Sequence, residues 1–263
     1  RAELKHYSAA MFHYGGEWYW GADRFYHLED RLAGYGACRT PMETLLCPRP
    51  EVEYGPLRDD ETLTLEIYPS LRSPYTSIVF DEALELAERT GVRCVVHPVL
   101  PMVMRGVSAT MQKGGYIFSD TAREARARGL TFGPFYDPIG EPVRRAYSLY
   151  AWACEQGRGN ALLSSFLQAA FFKGINTSAD AGMRWVVEEA GLSWSEAKTR
   201  IGNSDWEENI EANRLAMYEF GSWGVPSFRL LDAQGQEIVG LWGQDRLWYF
   251  SREIQRLLAG RAE

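Results

Sequence analysis

The chain has 263 residues, of which 46% are hydrophobic and 24% are charged, so it can bury a substantial core and is not intrinsically disordered. Its net charge of −7 argues against nucleic-acid binding through a broadly basic surface. No apolar run approaches the roughly 20 residues that a membrane helix requires, so we expect neither a nucleic acid nor a membrane as a partner.

A short sequence repeat has one copy near each end of the chain. Residues 20–25 read WGADRF, and residues 242–247 read WGQDRL. Each copy follows an apolar or aromatic stretch and leads into a helical pattern, so each resembles the junction between the last strand and the last helix of one domain type. We therefore predict that residues 1–32 are the terminal strand and helix of an upstream repeat. Chance similarity is the alternative.

A β-α-β unit follows a connecting segment. Residues 33–60 hold scattered glycines and prolines with little periodicity and are predicted to be a linker, so the complete domain should span 61–263. Alternating residues at 62–68 indicate a strand, and a helical pattern over 73–89 leads into a second strand at 92–99. This order implies parallel strands joined by a right-handed crossover.

The chain then reads as helical until near its end. A large insertion over about 105–220 contains predicted helices at 121–128, 141–155, 161–172, 179–190 and 204–220. Ser193 and Ser204 each fit a capping-box pattern at a helix start. Strands at 227–231 and 237–241 and a helix near 244–258 follow. The predicted order is therefore β-α-β, a helical insertion, and β-β-α.

The cysteines and histidines form no redox or metal motif in the sequence. No two of the four cysteines are separated by two residues, and their scatter is typical of reduced thiols in a cytoplasmic protein. The cysteines and the four histidines lack the clustered spacing of zinc ligands, so we expect no metal site.

Two local features could form a ligand site. Ser73 and Pro74 begin the first long helix, where the serine can cap the helix or offer its hydroxyl to an anionic ligand atom. In the sequence Gly224–Val225–Pro226, the proline lies between a helix end and a strand, a position that suits a cis or a trans bond. A cis bond would present the backbone of Val225 toward Ser73, where an extended peptide could pair with it.

Motifs spread over residues 61–260 resemble one protein group in their order. They are SPYT after a strand, then HPVLPMVMRG, KGGYIFSD, GVPSF and WGQDRL. This order is similar to that of the 2-hydroxychromene-2-carboxylate isomerases and kappa-class glutathione transferases, in the DsbA-like branch of thioredoxin folds. The resemblance implies an α/β fold in which a thioredoxin-like mixed sheet carries a large all-helical insertion, preceded here by the C-terminal tail of an upstream repeat.

The resemblance also implies glutathione as the cofactor and a conjugated aromatic molecule as the substrate. In the family, the serine that matches Ser73 hydrogen-bonds the glutathione sulfur and favours the thiolate, which adds to the substrate, lets a bond rotate and is expelled. Asp245 would accept hydrogen bonds from the γ-glutamyl ammonium group, and the backbone of Val225 would pair with the cysteinyl part. Ser73 is thus the catalytic candidate, and the cofactor-binding candidates are Pro74, Tyr75, Val225, Pro226, Gln244 and Asp245.

Several residues depart from the family pattern or admit two interpretations. An asparagine that contacts glutathione in the family has no counterpart, and Lys113 and Arg105 either replace a family lysine or are surface charges. Trp20 and Trp242 are interpreted as anchors of the terminal helices. Aromatic residues of the insertion either line a substrate pocket or belong to the core, which is the default; they are Phe166, Phe171, Phe172, Trp185 and Trp194.

Three functions follow as hypotheses. The first is a glutathione-dependent isomerase or transferase. The second is a catalytically silent thioredoxin-like protein used for binding or assembly, with the upstream repeat or a second copy of the chain as its partner. The third is a dithiol oxidoreductase, which is disfavoured because Ser73 and Thr76 stand where the two cysteines of a CxxC motif would be.

Overall fold

The computed structural model describes residues 8–39 and 45–261, so residues 1–7 of the predicted N-terminal unit and residues 40–44 of the predicted linker lie outside the described part. Its strands are β1 (Met11–Tyr14), β2 (Glu17–Trp20), β3 (Thr64–Tyr68), β4 (Arg93–Val96), β5 (Ser227–Leu231) and β6 (Glu237–Trp242). Its helices are α1 (Phe25–Gly34), α2 (Pro74–Ser77), α3 (Phe80–Thr90), α4 (Met111–Ala127), α5 (Glu141–Glu155), α6 (Gly159–Phe171), α7 (Asp180–Glu189), α8 (Trp194–Ala197), α9 (Glu207–Glu219) and α10 (Leu247–Ala259).

Four strands form a mixed sheet in the order β4-β3-β5-β6. The β3–β4 pair is parallel, whereas β3–β5 and β5–β6 are antiparallel. Leu65 and Ile67 of β3 are buried in the main core together with Phe228 and Leu230 of β5, because alternate residues of a strand share a face. The sheet and its helices confirm the predicted thioredoxin-like α/β fold.

The predicted first helix is two helices. Ser73 caps the short α2, and Ile78 and Val79 separate it from α3, which ends at Gly91 in the left-handed conformation that favours glycine. The strand predicted at 92–99 is shorter: it is regular over β4 only, although the backbone N–H groups of His97 and Val99 still donate to the carbonyls of Ile67 and Pro69. These changes leave the β-α-β order intact.

The helical insertion between β4 and β5 forms the largest part of the core, mainly through buried residues of α5, α6 and α7. Two predicted starts are wrong. α4 begins at Met111, where Thr110 caps it, although its Gly114–Gly115 pair obscures the pattern. α9 begins at Glu207 rather than at Ser204. The Ser204 side chain does not cap the helix, and only the backbone carbonyl of Ser204 accepts a hydrogen bond from the N–H of Glu207. Ser193 does cap α8.

The N-terminal segment is an antiparallel hairpin followed by a helix. Gly15 and Gly16 join β1 to β2 with positive φ angles of 56° and 81°, as a tight two-residue hairpin turn requires. A single 3-10 turn, Ala22–Arg24, leads into α1. The segment has the same element order as β5, β6 and α10. Its origin as the end of an upstream repeat stays a prediction.

The described end of the predicted linker is attached to the domain. Val52, Tyr54 and Leu57 pack against the main core, and Gln255 exchanges two hydrogen bonds with the backbone of Leu57, at 2.8 and 3.0 Å. Among the residues that the structure describes, no helix is long and apolar enough to cross a membrane, and no cluster of His, Cys, Asp or Glu could hold a metal ion.

Candidate functional site

Ser73 lies at the start of α2 and faces the loop before β5. Its Oγ accepts a hydrogen bond from the backbone N–H of Thr76 at 3.2 Å, which caps the helix. The same hydroxyl donates to the carbonyl oxygen of Val225 at 3.4 Å. That distance is longer than the roughly 2.5–3.0 Å usual for a hydroxyl donor, so this hydrogen bond is weak.

The loop opposite Ser73 contains a cis peptide bond between Val225 and Pro226. Its shape is fixed by buried hydroxyls, because Ser227 Oγ donates to the carbonyl of Gly224 at 2.7 Å and lies 2.5 Å from Ser222 Oγ. The structure therefore brings Ser73 together with Val225 and Pro226. Ser73 and Val225 are 152 positions apart in the sequence.

A cavity of about 150 Å³ adjoins this contact. Four of the sequence-predicted binding residues line it, namely Tyr75, Pro226, Gln244 and Asp245. Ser73, Pro74 and Val225 are not among the lining residues and lie beside it. Further walls come from Trp20, Asp23, Arg24, Trp242, Gly243 and Arg246. The N-terminal segment therefore forms one side of the cavity.

Arg24 is the charged centre of this region and is only 5% exposed. Its Nε donates to both carboxylate oxygens of Asp120, at 3.0 and 3.1 Å, and its Nη1 donates to Asp245 at 2.6 Å. Tyr75 adds a 2.8 Å hydrogen bond to Asp120. Burial acts to lower the pKa of Arg24, but the charges of Asp120, Glu124 and Asp245 outweigh burial and raise it well above its ordinary value.

A second ion pair, between Arg246 and Asp23, mirrors the pair between Arg24 and Asp245. Arg246 donates to the carboxylate of Asp23 at 2.8 and 3.1 Å, and the rings of Trp20 and Trp242 lie 6.0 Å apart. Asp–Arg of one WGxDR copy thus pairs with Arg–Asp of the other, which is the reciprocity that a local two-fold axis produces.

Arg24 and Asp120 were not among the predicted site residues. For Arg24, the WGxDR repeat was the available signal, because it makes Asp23 and Arg24 the counterparts of Asp245 and Arg246. However, it gave no indication that the two copies contact each other.

The side chain of Gln244 is buried, and both its amide nitrogen and its amide oxygen form hydrogen bonds within the protein. Its Nε2 donates to Glu124 at 3.1 Å, and its Oε1 accepts from Arg128 at 2.6 Å. Burial opposes ionisation of Glu124, but hydrogen bonds from His27 and Tyr26 and the charge of Arg24 hold its pKa well below the usual range. The side chain of Gln244 therefore supports the cavity wall.

The other candidates lie away from the cavity. Arg105 donates to the hydroxyl of Tyr218 at 2.9 Å, and Lys113 lies 5.6 Å from the ring centroid of Trp223. The aromatic residues of the insertion follow the core interpretation: Phe166, Phe171 and Trp194 are buried, and Phe172 and Trp185 pack against the core.

Comparison with known proteins identifies the family to which the fold belongs. Residues 64–255 match the family model of the DSBA-like thioredoxin domain, which is well over half of the chain. The chain belongs to this family. The hairpin of β1 and β2 and helix α1 lie outside the matched residues of this DSBA-like domain, and their segment forms one side of the cavity.

Solved structures share the fold at low sequence identity. A 2-hydroxychromene-2-carboxylate isomerase is 18% identical with a TM-score of 0.62, over 76% of this chain and 98% of that chain. A putative protein disulfide isomerase from Nitrosomonas europaea is 12% identical with a TM-score of 0.57, over 77% and 100%. The cytosolic disulfide reductase DsbM from Pseudomonas aeruginosa, solved with GSH, is 20% identical with a TM-score of 0.53, over 76% and 98%. No functionally curated protein matches the chain.

Proposed function

We propose that this DSBA-like protein binds glutathione between Ser73 and the Val225–Pro226 loop and acts as a glutathione-dependent isomerase or transferase on a conjugated aromatic substrate. The observation that carries the proposal is the contact between the Ser73 hydroxyl and the Val225 carbonyl beside an open cavity. A hydroxyl in this position cannot form a disulfide, but it can donate a hydrogen bond to a sulfur anion that a ligand brings.

The charges around the cavity fit one end of glutathione. Asp245 and Asp23 provide two carboxylates, and Arg24 and Arg246 provide two guanidinium groups, each paired with one of these carboxylates. This combination complements the γ-glutamyl group, which carries both an ammonium and a carboxylate. Because about 150 Å³ is below the roughly 300 Å³ at which pockets for drug-sized ligands begin, the cavity would enclose this end only. The rest of the tripeptide would extend over Pro226 toward Ser73.

The protein groups have distinct tasks in this proposal. The weak 3.4 Å bond from Ser73 to Val225 would give way to a stronger, charge-assisted bond to sulfur. The backbone of Val225 would pair with the cysteinyl residue, as a strand edge pairs with a peptide. When bound, glutathione supplies the nucleophilic thiol, which adds to the conjugated substrate and leaves again after the bond has rotated.

Two neighbouring structures support the choice of ligand and reaction. One is a 2-hydroxychromene-2-carboxylate isomerase, and the other is DsbM with GSH. Dithiol chemistry is not proposed, because Ser73 and Thr76 stand where the two cysteines of a CxxC motif would be.

One observation favours the second hypothesis, a catalytically silent binding protein. Arg24 already occupies one oxygen of Asp245 at 2.6 Å, which is the carboxylate assigned to the ligand's ammonium group. If Arg24 satisfies Asp245 completely and Arg246 satisfies Asp23, neither carboxylate of the cavity is available to glutathione, and the protein would act through its surfaces.

Calorimetric titration with glutathione separates the two hypotheses. We expect saturable binding that weakens by about tenfold to a hundredfold in Ser73→Ala and in Asp245→Asn, because each loses a charge-assisted hydrogen bond of about 1.5–3 kcal/mol. Ser193→Ala is the matched control, since Ser193 also caps a short helix but lies on α8. S-methylglutathione should bind the wild type and Ser73→Ala equally. Absence of binding at millimolar glutathione would favour the silent protein.

A further inference from the structure

The tryptophans Trp20, Trp242 and Trp223 form a continuous row of rings at the edge of the cavity, which we call the tryptophan row. Ring centroids are 6.0 Å apart for Trp20 and Trp242, and 6.1 Å apart for Trp242 and Trp223. The second pair is nearly parallel, with 22° between the ring planes. Trp223 is 55% exposed and Trp242 is 41% exposed, although tryptophan is one of the most buried residue types on average.

The tryptophan row is fixed to the loop that faces Ser73. Trp223 directly precedes the Gly224–Val225–Pro226 sequence, and Trp242 and Trp20 line the cavity. A Cβ atom on Gly224 would overlap the indole ring of Trp242, so this ring lies against the loop backbone. The row therefore begins where the proposed thiol site ends, on a surface that the loop holds in place.

A cation lies at the outer end of the row. Lys113, from the first turn of α4, has its Nζ 5.6 Å from the ring centroid of Trp223. Over residues 8–39 and 45–261, no carboxylate lies within ion-pair distance of Lys113. An exposed aromatic surface next to an ammonium group that has no carboxylate partner in the described part of the chain complements a molecule with an aromatic ring and an anionic group.

We propose that the tryptophan row binds the ring face of a planar aromatic carboxylate, with Lys113 paired to its carboxylate. This inference names a site for the second substrate of the proposed function. It rests on that function only for its place in the reaction, since stacking and ion pairing at the row need no glutathione. Trp242 would thus take part in binding, whereas the sequence predicted only that it anchors the terminal helix.

The test is calorimetric titration with 2-naphthoate and with its neutral analogue 2-naphthamide, both without glutathione. We expect 2-naphthoate to bind one site, with at least tenfold weaker binding in Trp223→Ala and about threefold to tenfold weaker binding in Lys113→Gln. The amide should bind the wild type more weakly than the acid, and it should bind wild type and Lys113→Gln equally.

The chain provides a matched control at a distant site. Trp185 on α7 has Lys173 5.5 Å from its ring centroid, so it has the same pair of residue types without a neighbouring tryptophan row. Lys173→Gln should leave the binding of 2-naphthoate unchanged, and Trp223→Phe should retain most of it, which separates stacking from folding defects.

Three outcomes would overturn the proposal. They are no binding of 2-naphthoate, equal binding by wild type and Trp223→Ala, or a Trp223-dependent self-association by sedimentation without any binding of 2-naphthoate. The last outcome would assign the row to a second copy of the chain. A parallel glutathione titration keeps the two proposals apart, because binding of 2-naphthoate without binding of glutathione would remove only the proposed function.

Discussion

The guanidinium group of Arg24 donates a 2.6 Å hydrogen bond to Asp245, a residue 221 positions further along the chain. Through Asp120, the same guanidinium connects to Tyr75, which is two residues from Ser73. The N-terminal segment therefore holds together both ends of the candidate glutathione site. Its contribution comes from polar contacts of several side chains, since Tyr26 and His27 of the same segment also bond to Glu124.

The two reciprocal Arg–Asp pairs should differ in their contribution to stability, because only one is buried. Replacing Arg24 by Met removes the cation that Asp120 and Asp245 share and leaves them with Arg123 at 3.2 Å and Arg246 at 3.7 Å, respectively. This should lower the free energy of unfolding by up to about 3 kcal/mol, the lower end of the cost of breaking a buried ion pair. The side chains of Arg246 and Asp23 are 29% and 48% exposed, so Arg246→Met should cost less than about 1 kcal/mol. Urea unfolding measures both. Equal costs would show that burial of Arg24 is not the source of its effect.

Glu66 should make the protein sensitive to acid. Burial opposes its ionisation, but contacts with His97, Arg229 and Tyr68 outweigh burial and lower its pKa to about 2. Because the pKa is near 4.3 in the unfolded chain, the stabilisation is complete above that pH and is lost as the pH falls toward 2.

The expected size of this effect is about 3 kcal/mol, since one pKa unit corresponds to about 1.4 kcal/mol. Glu66→Gln should therefore destabilise the protein at pH 7 and reduce the slope of stability against pH between about 4.5 and 2. Glu85→Gln on the exposed face of α3 is the control. An unchanged slope in Glu66→Gln would contradict the assignment.

Glycine substitutions should have opposite signs at two helical positions. A Cβ atom on Gly115 in α4 meets no atom within 4 Å, so Gly115→Ala should stabilise the protein by up to about 1 kcal/mol through helix propensity. A Cβ atom on Gly182 in α7 would overlap the carbonyl oxygen of Asn176, so Gly182→Ala should destabilise it by about 1–3 kcal/mol. Thermal unfolding of both variants decides, and a stabilised Gly182→Ala would contradict the packing.

Local patterns predicted the elements that local forces determine. The alternation in β3, the serine cap of α2 and the proline before β5 were visible because each depends on a few neighbouring residues. The start of α4 was missed because Gly114 and Gly115 are poor helix formers, and this helix is stabilised by buried contacts such as that of Asp120 with Arg24.

The contacts that complete the site could not be read from local pattern. Arg24 and Asp245 are in contact only because the hairpin and α1 fold back over the cavity, and no spacing of residues encodes such a long-range pair. The sequence assigned Asp245 to a ligand, whereas the structure gives one of its oxygens to Arg24. A repeat can therefore mark residues that pair with each other as well as residues that share a role.

In the proposed function, the Ser73 hydroxyl stabilises the thiolate of a bound thiol. Ultraviolet absorbance of the thiolate, followed against pH with glutathione bound to a chain whose cysteines are replaced by serine or alanine, measures the pKa of that thiol directly. We predict that the pKa of the bound thiol falls below its ordinary value of about 8.5 and returns toward it in Ser73→Ala. A pKa that is the same for free glutathione, wild type and Ser73→Ala would contradict the account.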